Sequence, residues 1–209
     1  MVPNFPTLLT WARVLAIPLL VAVFYWPAER SLQNLLATIL FVAAALTDWL
    51  DGWLARRWNQ TSAFGAFLDP VADKLMVCVA LVMLVALNRV DAVIAAIIIG
   101  RELTISALRE WMAQIGAHTS VAVHSIGKFK TVAQLVAIPL LLCDRTLFGL
   151  DLRLIGSWLI YVAAVLTVWS MLYYLRRAWP WLRDADMDAD AAAPPASESR
   201  IGHSGRSSP

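Results

Sequence analysis

The sequence predicts an all-α polytopic membrane protein, with six transmembrane helices and a polar cavity at the cytoplasmic side. Three observations carry this. Of 209 residues, 60% are hydrophobic, and the mean hydropathy is +0.66, well above a soluble domain of this size. The apolar residues fall into six runs long enough to cross a bilayer. Lys and Arg are distributed unevenly between the two ends of those runs.

The runs span about 7–26, 32–55, 67–87, 92–111, 126–142 and 154–175. The opening, MVPNFPTLLTWAR, has no basic leader and no small-residue cleavage site, so the first run reads as a retained span. Connections are short, which makes sequential spans antiparallel neighbours. With the N-terminus in the cytoplasm, Arg30, Arg89, Arg145 and Arg153 fall outside. Arg13, Arg56, Arg57, Lys74, Arg101, Arg109, Lys128, Lys130, Arg176, Arg177 and Arg183 fall inside, eleven against four. Both termini are therefore expected in the cytoplasm. Trp and Tyr near span ends, such as Tyr25 and Trp26, Trp49, Trp53 and Trp58, read as an interfacial belt. A membrane domain over 1–180 is followed by a segment over 181–209 that is rich in Asp, Ala, Ser and Pro from Asp184 on. It is expected to be a disordered cytoplasmic tail.

Composition also excludes some classes. The net charge of +2 is too small to imply nucleic acid as a partner. Cys78 and Cys143 lie in or near apolar runs without metal-ligand spacing and read as small hydrophobes. His118 and His124 fall in the connection between the fourth and fifth runs and receive no role.

The chemistry concentrates in residues 48–73, DWLDGWLARRWNQTSAFGAFLDPVAD. On a helix Asp48 and Asp51 share one face, three residues apart, and Asp69 and Asp73 share another, four apart. A polar turn over 58–62 is expected between them, with Pro70 in the first turn of the third span, where its missing N–H costs nothing. Counting from Leu32, Asp48 lies about 24 Å and Asp51 about 28 Å along the second span. All four carboxylates can therefore meet at the cytoplasmic boundary. Gathered there unpaired they would repel one another. A pair of hard divalent cations bound through oxygen would relieve this. Arg101 and Arg109 interrupt the fourth run, and Lys128 and Lys130 open the fifth. Each Arg has an acidic neighbour, Glu102 or Glu110, and could pair with it for structure. The four cations could instead converge on a phosphate. Thr131 and Gln134, on the same side, are weaker candidates for polar contacts.

The spacing Asp48-x2-Asp51-Gly52-x2-Ala55-Arg56-x8-Gly65-x3-Asp69-x3-Asp73 resembles the complete signature of the CDP-alcohol phosphotransferase family. Outside it, Pro6-Thr7-Leu8-Leu9-Thr10-x2-Arg13, the run from Arg101 to Met112, and Ser120 to Thr131 are similar to the bacterial phosphatidylglycerophosphate synthases of that family. The resemblance covers about residues 3–174, with no departure at a signature position.

The resemblance implies an enzyme of the bacterial cytoplasmic membrane. Its substrates would be the lipid CDP-diacylglycerol and glycerol 3-phosphate, and its products CMP and phosphatidylglycerol phosphate. It implies two Mg²⁺ or Mn²⁺ ions on Asp48, Asp51, Asp69 and Asp73, in an active-site cavity open to lipid. Asp73 would act as general base. Asp48, Gly52, Ala55, Arg56 and Gly65 would meet the CDP-lipid, and Arg101, Arg109, Lys128 and Lys130 the acceptor phosphate. By analogy the protein would be a homodimer. Two alternatives compete. Another acceptor, such as serine or inositol phosphate, would keep the chemistry; an uncharged one would not need the basic residues. A divalent-cation transporter would need polar groups at several depths, whereas these aspartates cluster on one side.

Overall fold

The computed structural model describes residues 5–58, 63–114, 125–147 and 149–192. Within them lie six α-helices: α1 (Phe5–Tyr25), α2 (Arg30–Trp58), α3 (Ala63–Ala86), α4 (Ala92–Gln114), α5 (Ser125–Cys143) and α6 (Leu152–Ala192). Each overlaps one of the six apolar runs, with α6 continuing well beyond the sixth. A two-stranded antiparallel ladder, β1 (Thr146–Leu147) with β2 (Leu150–Asp151), joins α5 to α6. It is the one departure from all-helix among the described residues.

The turns show why each helix starts and stops where it does. Between α1 and α2, the Gln33 amide donates to the Trp26 carbonyl at 2.7 Å and fixes the reversal. Asn88 (φ 55°) turns the chain after α3. Asp91 then caps α4, its Oδ1 accepting from Val93 N at 2.8 Å. After α5 the chain turns through Asp144 (φ 47°) and Gly149 (φ 79°). Asp151 caps α6 by accepting from Arg153 N and Leu154 N at 2.9 and 3.2 Å.

Side-chain links at both ends establish the up-and-down arrangement. At one end Arg89, between α3 and α4, donates to the carbonyls of Leu141 and Leu142 and to Asn34 Oδ1, and pairs with Asp144 at 3.1 Å. Burial lowers the Arg89 pKa from its usual value, and Asp144 opposes that. Arg145 bonds Ser31, and Arg153 bonds the Asn88 carbonyl at 3.0 Å. At the opposite end Arg13 of α1 meets Asp48 of α2 and Asp73 of α3, Lys74 of α3 meets Ser106 of α4, and Arg101 of α4 meets Ser170 of α6.

Between the ends the core is apolar, with Leu20, Phe41, Leu81, Leu84, Ile98, Ile138, Leu141 and Ile160 fully or nearly fully buried. Large apolar side chains also cover the outside, among them Leu19, Ile39, Val82, Val93, Val165 and Trp169. That is an inside-and-outside apolar character suited to lipid rather than water. Two stretches, Arg30–Asp48 and Leu152–Tyr173, are long and apolar enough to cross a membrane, and only 28% and 33% of them is buried in the protein. Tyr25 and Trp26 are exposed near the end of α1, as a belt position requires.

α5 and α6 pack against each other, and they come close at Gly156. A Cβ there would sit 2.8 Å from Leu141 Cγ and 3.2 Å from the Ala137 carbonyl. Gly156→Val should therefore force the helices apart, at about 1–3 kcal/mol. The check is a lowered unfolding midpoint in detergent beside an unchanged Gly100→Val control, where nothing lies within 4 Å.

Two expectations are corrected. α6 runs to Ala192, well past residue 180 and through Asp184–Asp190, where a disordered tail was expected. The physical reason is propagation: Ala is the strongest helix former, and a helix already nucleated in a packed segment extends at little cost without an apolar face. Residues 193–209, with His203, lie outside the described residues. Pro70 is not in a first turn either. α3 begins at Ala63, so Pro70 sits in its interior, with no N–H for the carbonyl four residues back. Residues 59–62, most of the expected polar turn, lie outside the described residues, as do His118 and His124.

Candidate active site

The end of the bundle where α1, α2 and α3 meet is built on Arg13. Its side chain is 2% exposed. A guanidinium so buried needs anionic partners, because its charge cannot be left desolvated. Among the described residues two carboxylates serve: Nη1 lies 2.6 Å from Asp73 Oδ1 and 3.2 Å from Asp48 Oδ1. The two carboxylates come from different helices, and both remain partly exposed, at 46% for Asp48 and 40% for Asp73. One buried cation thus draws two acidic side chains together at the rim of the protein.

A cavity of about 130 Å³ adjoins Asp73. Asp73, Lys74 and Val77 of α3, Glu102 of α4, and Thr131, Gln134 and Leu135 of α5 line it. Lys74 Nζ donates to Ser106 Oγ, which ties α3 to α4 at this level. Glu102 receives Arg101 Nη1 at 3.0 Å, while Arg101 Nη2 donates to Ser170 Oγ at 3.0 Å. Ser170 Oγ in turn donates to the Thr167 carbonyl. Arg101 therefore adopts the pairing with its acidic neighbour that the sequence left open, and is held against α6.

Of the residues singled out in the sequence, the structure brings together Asp48 and Asp73. Asp51 and Gly52, Ala55 and Arg56 lie on the last turns of α2, and Gly65 and Asp69 on α3. Arg109 lies on α4, and Lys128 and Lys130 open α5. The side chains of these nine residues lie outside the described ones. Arg13 was legible only as a charge on the first span and as part of an opening motif. Lys74, Ser106 and Glu102 carried no stronger signal.

The donor set suits a hard divalent cation. Carboxylate oxygens of Asp48 and Asp73 converge from two helices, and they already hold one positive group between them. Among the described residues no three metal-ligating side chains gather, the side chains of Asp51 and Asp69 being outside them.

Comparison with known proteins gives the lineage. Residues 3–169 match the family model described as CDP-alcohol phosphatidyltransferase. The chain belongs to the CDP-alcohol phosphatidyltransferase family. Its members are membrane-bound biosynthetic enzymes that generally use divalent metal ions. Similar members include the proteins named CDP-diacylglycerol–glycerol-3-phosphate 3-phosphatidyltransferase from Shigella flexneri serotype 5b (strain 8401) and Escherichia coli (strain K12). Each is 52% identical over 177 residues, covering 84% of this chain and 94% of the relative. The protein of that name from Salmonella choleraesuis (strain SC-B67) is 51% identical over the same length and shares. The match to the family model takes in all of α1 to α5 and α6 as far as Trp169, so the Arg13 cluster and the adjoining cavity lie in the shared region.

Proposed function

We propose that this phosphatidyltransferase moves the phosphatidyl group of CDP-diacylglycerol to a hydroxyl of sn-glycerol 3-phosphate, giving phosphatidylglycerol phosphate and CMP. The supporting observation is the joining of Asp48 and Asp73 on buried Arg13, beside a cavity that Lys74, Glu102, Thr131 and Gln134 help to line. It occurs in a chain half identical to enzymes named for that reaction.

The residues divide the work between metal, donor and acceptor. Asp48, Asp51, Asp69 and Asp73 would hold two divalent cations, Mg²⁺ or Mn²⁺, which would offset negative charge on the pyrophosphate and the leaving CMP. Asp48, Gly52, Ala55, Arg56 and Gly65 receive the CDP-lipid. Gly52 and Ala55 are small enough for the nucleotide to approach the α2 backbone, and Arg56 neutralises a phosphate. Asp73 opens on the cavity and takes the proton from the acceptor hydroxyl as its oxygen attacks the β-phosphorus. A P–O bond forms there, the pyrophosphate bridge breaks, and CMP leaves with the bridging oxygen. Arg109, Lys128 and Lys130 hold the acceptor's phosphate; Arg101 supports that pocket from its site against Glu102 and Ser170.

The six helices cross the bacterial cytoplasmic membrane as one domain over residues 1–180, with both termini and this site on the cytoplasmic side. The donor's acyl chains then stay in lipid while glycerol 3-phosphate and CMP exchange with the cytosol. Residues 181–209, including the last turns of α6, lie in the cytoplasm. The working unit is a homodimer, by analogy with the family.

The test is product analysis with purified protein, CDP-diacylglycerol and Mg²⁺, given glycerol 3-phosphate, serine or inositol phosphate. CMP and phosphatidylglycerol phosphate should form in equal amounts with glycerol 3-phosphate alone, and EDTA should stop the reaction. Turnover with another acceptor would keep the metal chemistry and remove the acceptor assignment.

A further inference from the structure

The cavity beside Asp73 holds a polar group that the chemistry above leaves unused. Gln134 is 8% exposed and is one of the polar side chains that line the cavity. A buried primary amide carries two donors and an acceptor. Leaving it unsatisfied is costly, so such groups in native proteins have a partner, either solvent or ligand. Thr131 lies three residues earlier on α5 and lines the same cavity, so hydroxyl and amide share one helix face. Val77 and Leu135 make up the apolar part of the wall. The cavity is several times the roughly 10–15 Å³ that one water needs. It therefore has room for a short carbon chain bearing hydroxyls.

We infer that Gln134, with Thr131, is the specificity-determining pair that reads the acceptor's second, non-reacting hydroxyl, the C2 hydroxyl of the glycerol unit. This rests on the acceptor assignment above and deepens it. With the reacting hydroxyl at Asp73, a neighbouring carbon's hydroxyl falls within the same small cavity. The Gln134 amide can donate to that oxygen and accept its proton at once, and Thr131 can do either. A bound acceptor without the hydroxyl covers the amide without pairing it, and a site built that way rejects the deoxy analogue strongly.

The experiment compares kcat/KM for sn-glycerol 3-phosphate and for 3-hydroxypropyl phosphate, which keeps the phosphate and the attacking hydroxyl but lacks the C2 hydroxyl. The natural protein should favour glycerol 3-phosphate by about 100-fold or more. Gln134→Met should lower kcat/KM for glycerol 3-phosphate by about 10- to 100-fold, leave the deoxy acceptor nearly unchanged, and leave the KM for CDP-diacylglycerol within about twofold. Should that variant fail to fold, Thr131→Val at the more exposed end of the pair must narrow the same preference. Equal losses with both acceptors, or a preference that survives the substitutions, would overturn the inference. So would a natural protein that uses both acceptors equally well. Failure of the acceptor assignment looks different: the natural protein would then turn over neither compound while releasing CMP with some other acceptor.

Discussion

Asp73→Asn should abolish turnover, with kcat down by about 10³-fold or more, while CDP-diacylglycerol still binds within a few-fold of its normal affinity. Loss of a general base alone costs about 10²–10⁴-fold. Asp73 also stands in the proposed ligand set, so the effect belongs at the upper end. The neutral amide keeps the volume and can still face Arg13. What it cannot do is take a proton from the attacking hydroxyl. The check is single-turnover CMP release beside equilibrium binding of the CDP-lipid. A variant that loses lipid binding, yet retains normal kcat in whatever activity is left, would contradict the base role.

Arg13→Leu should destabilise the metal-free protein far more than the metal-loaded one. Arg13 is buried and its Nη1 lies within 3.2 Å of both carboxylates. Removing it leaves Asp48 and Asp73 facing each other without that charge. Stripping one member from a fully buried charge cluster costs about 3–5 kcal/mol. Here both carboxylates are partly solvated, so about 1–3 kcal/mol is expected. Divalent cations supply positive charge at the same carboxylates, so saturating Mg²⁺ should recover most of the loss. The measurement is the unfolding midpoint in detergent with EDTA and with Mg²⁺. A wider gap between the two conditions in Arg13→Leu than in the natural protein supports a counter-charge role. An equal drop in both would reduce Arg13 to packing.

The range of each interaction decides whether the sequence discloses it. Helices α1 to α5 were legible because a long run of consecutive apolar residues is a local signal in the sequence. The aspartate pairs were legible because three- and four-residue spacings on a helix are local geometry. Arg13 was not legible as part of the cluster. It is 60 residues from Asp73, and nothing near it in sequence signals that its charge is buried against α2 and α3. Arg101 illustrates a different limit: a basic residue beside an acidic one reads equally as a phosphate ligand or an internal pair, and only packing against Ser170 of α6 separates them. The end of α6 misleads because low apolar content ordinarily signals disorder, whereas Ala-rich chain continuing from an established helix needs no apolar face. Gln134 was visible as a polar residue on the correct side of α5. Its burial, which gives it meaning, was not.

The acidic residues at the end of α2 and the start of α3 are expected to form a two-cation site. This is tested most directly by Mn²⁺ binding to the purified protein in detergent with CDP-diacylglycerol present, monitored by electron paramagnetic resonance. Binding should saturate at about two ions per chain, with Asp48→Asn losing at least one ion or weakening its binding about tenfold or more. Saturating binding that Asp48→Asn leaves unchanged would place the metal elsewhere and contradict the account.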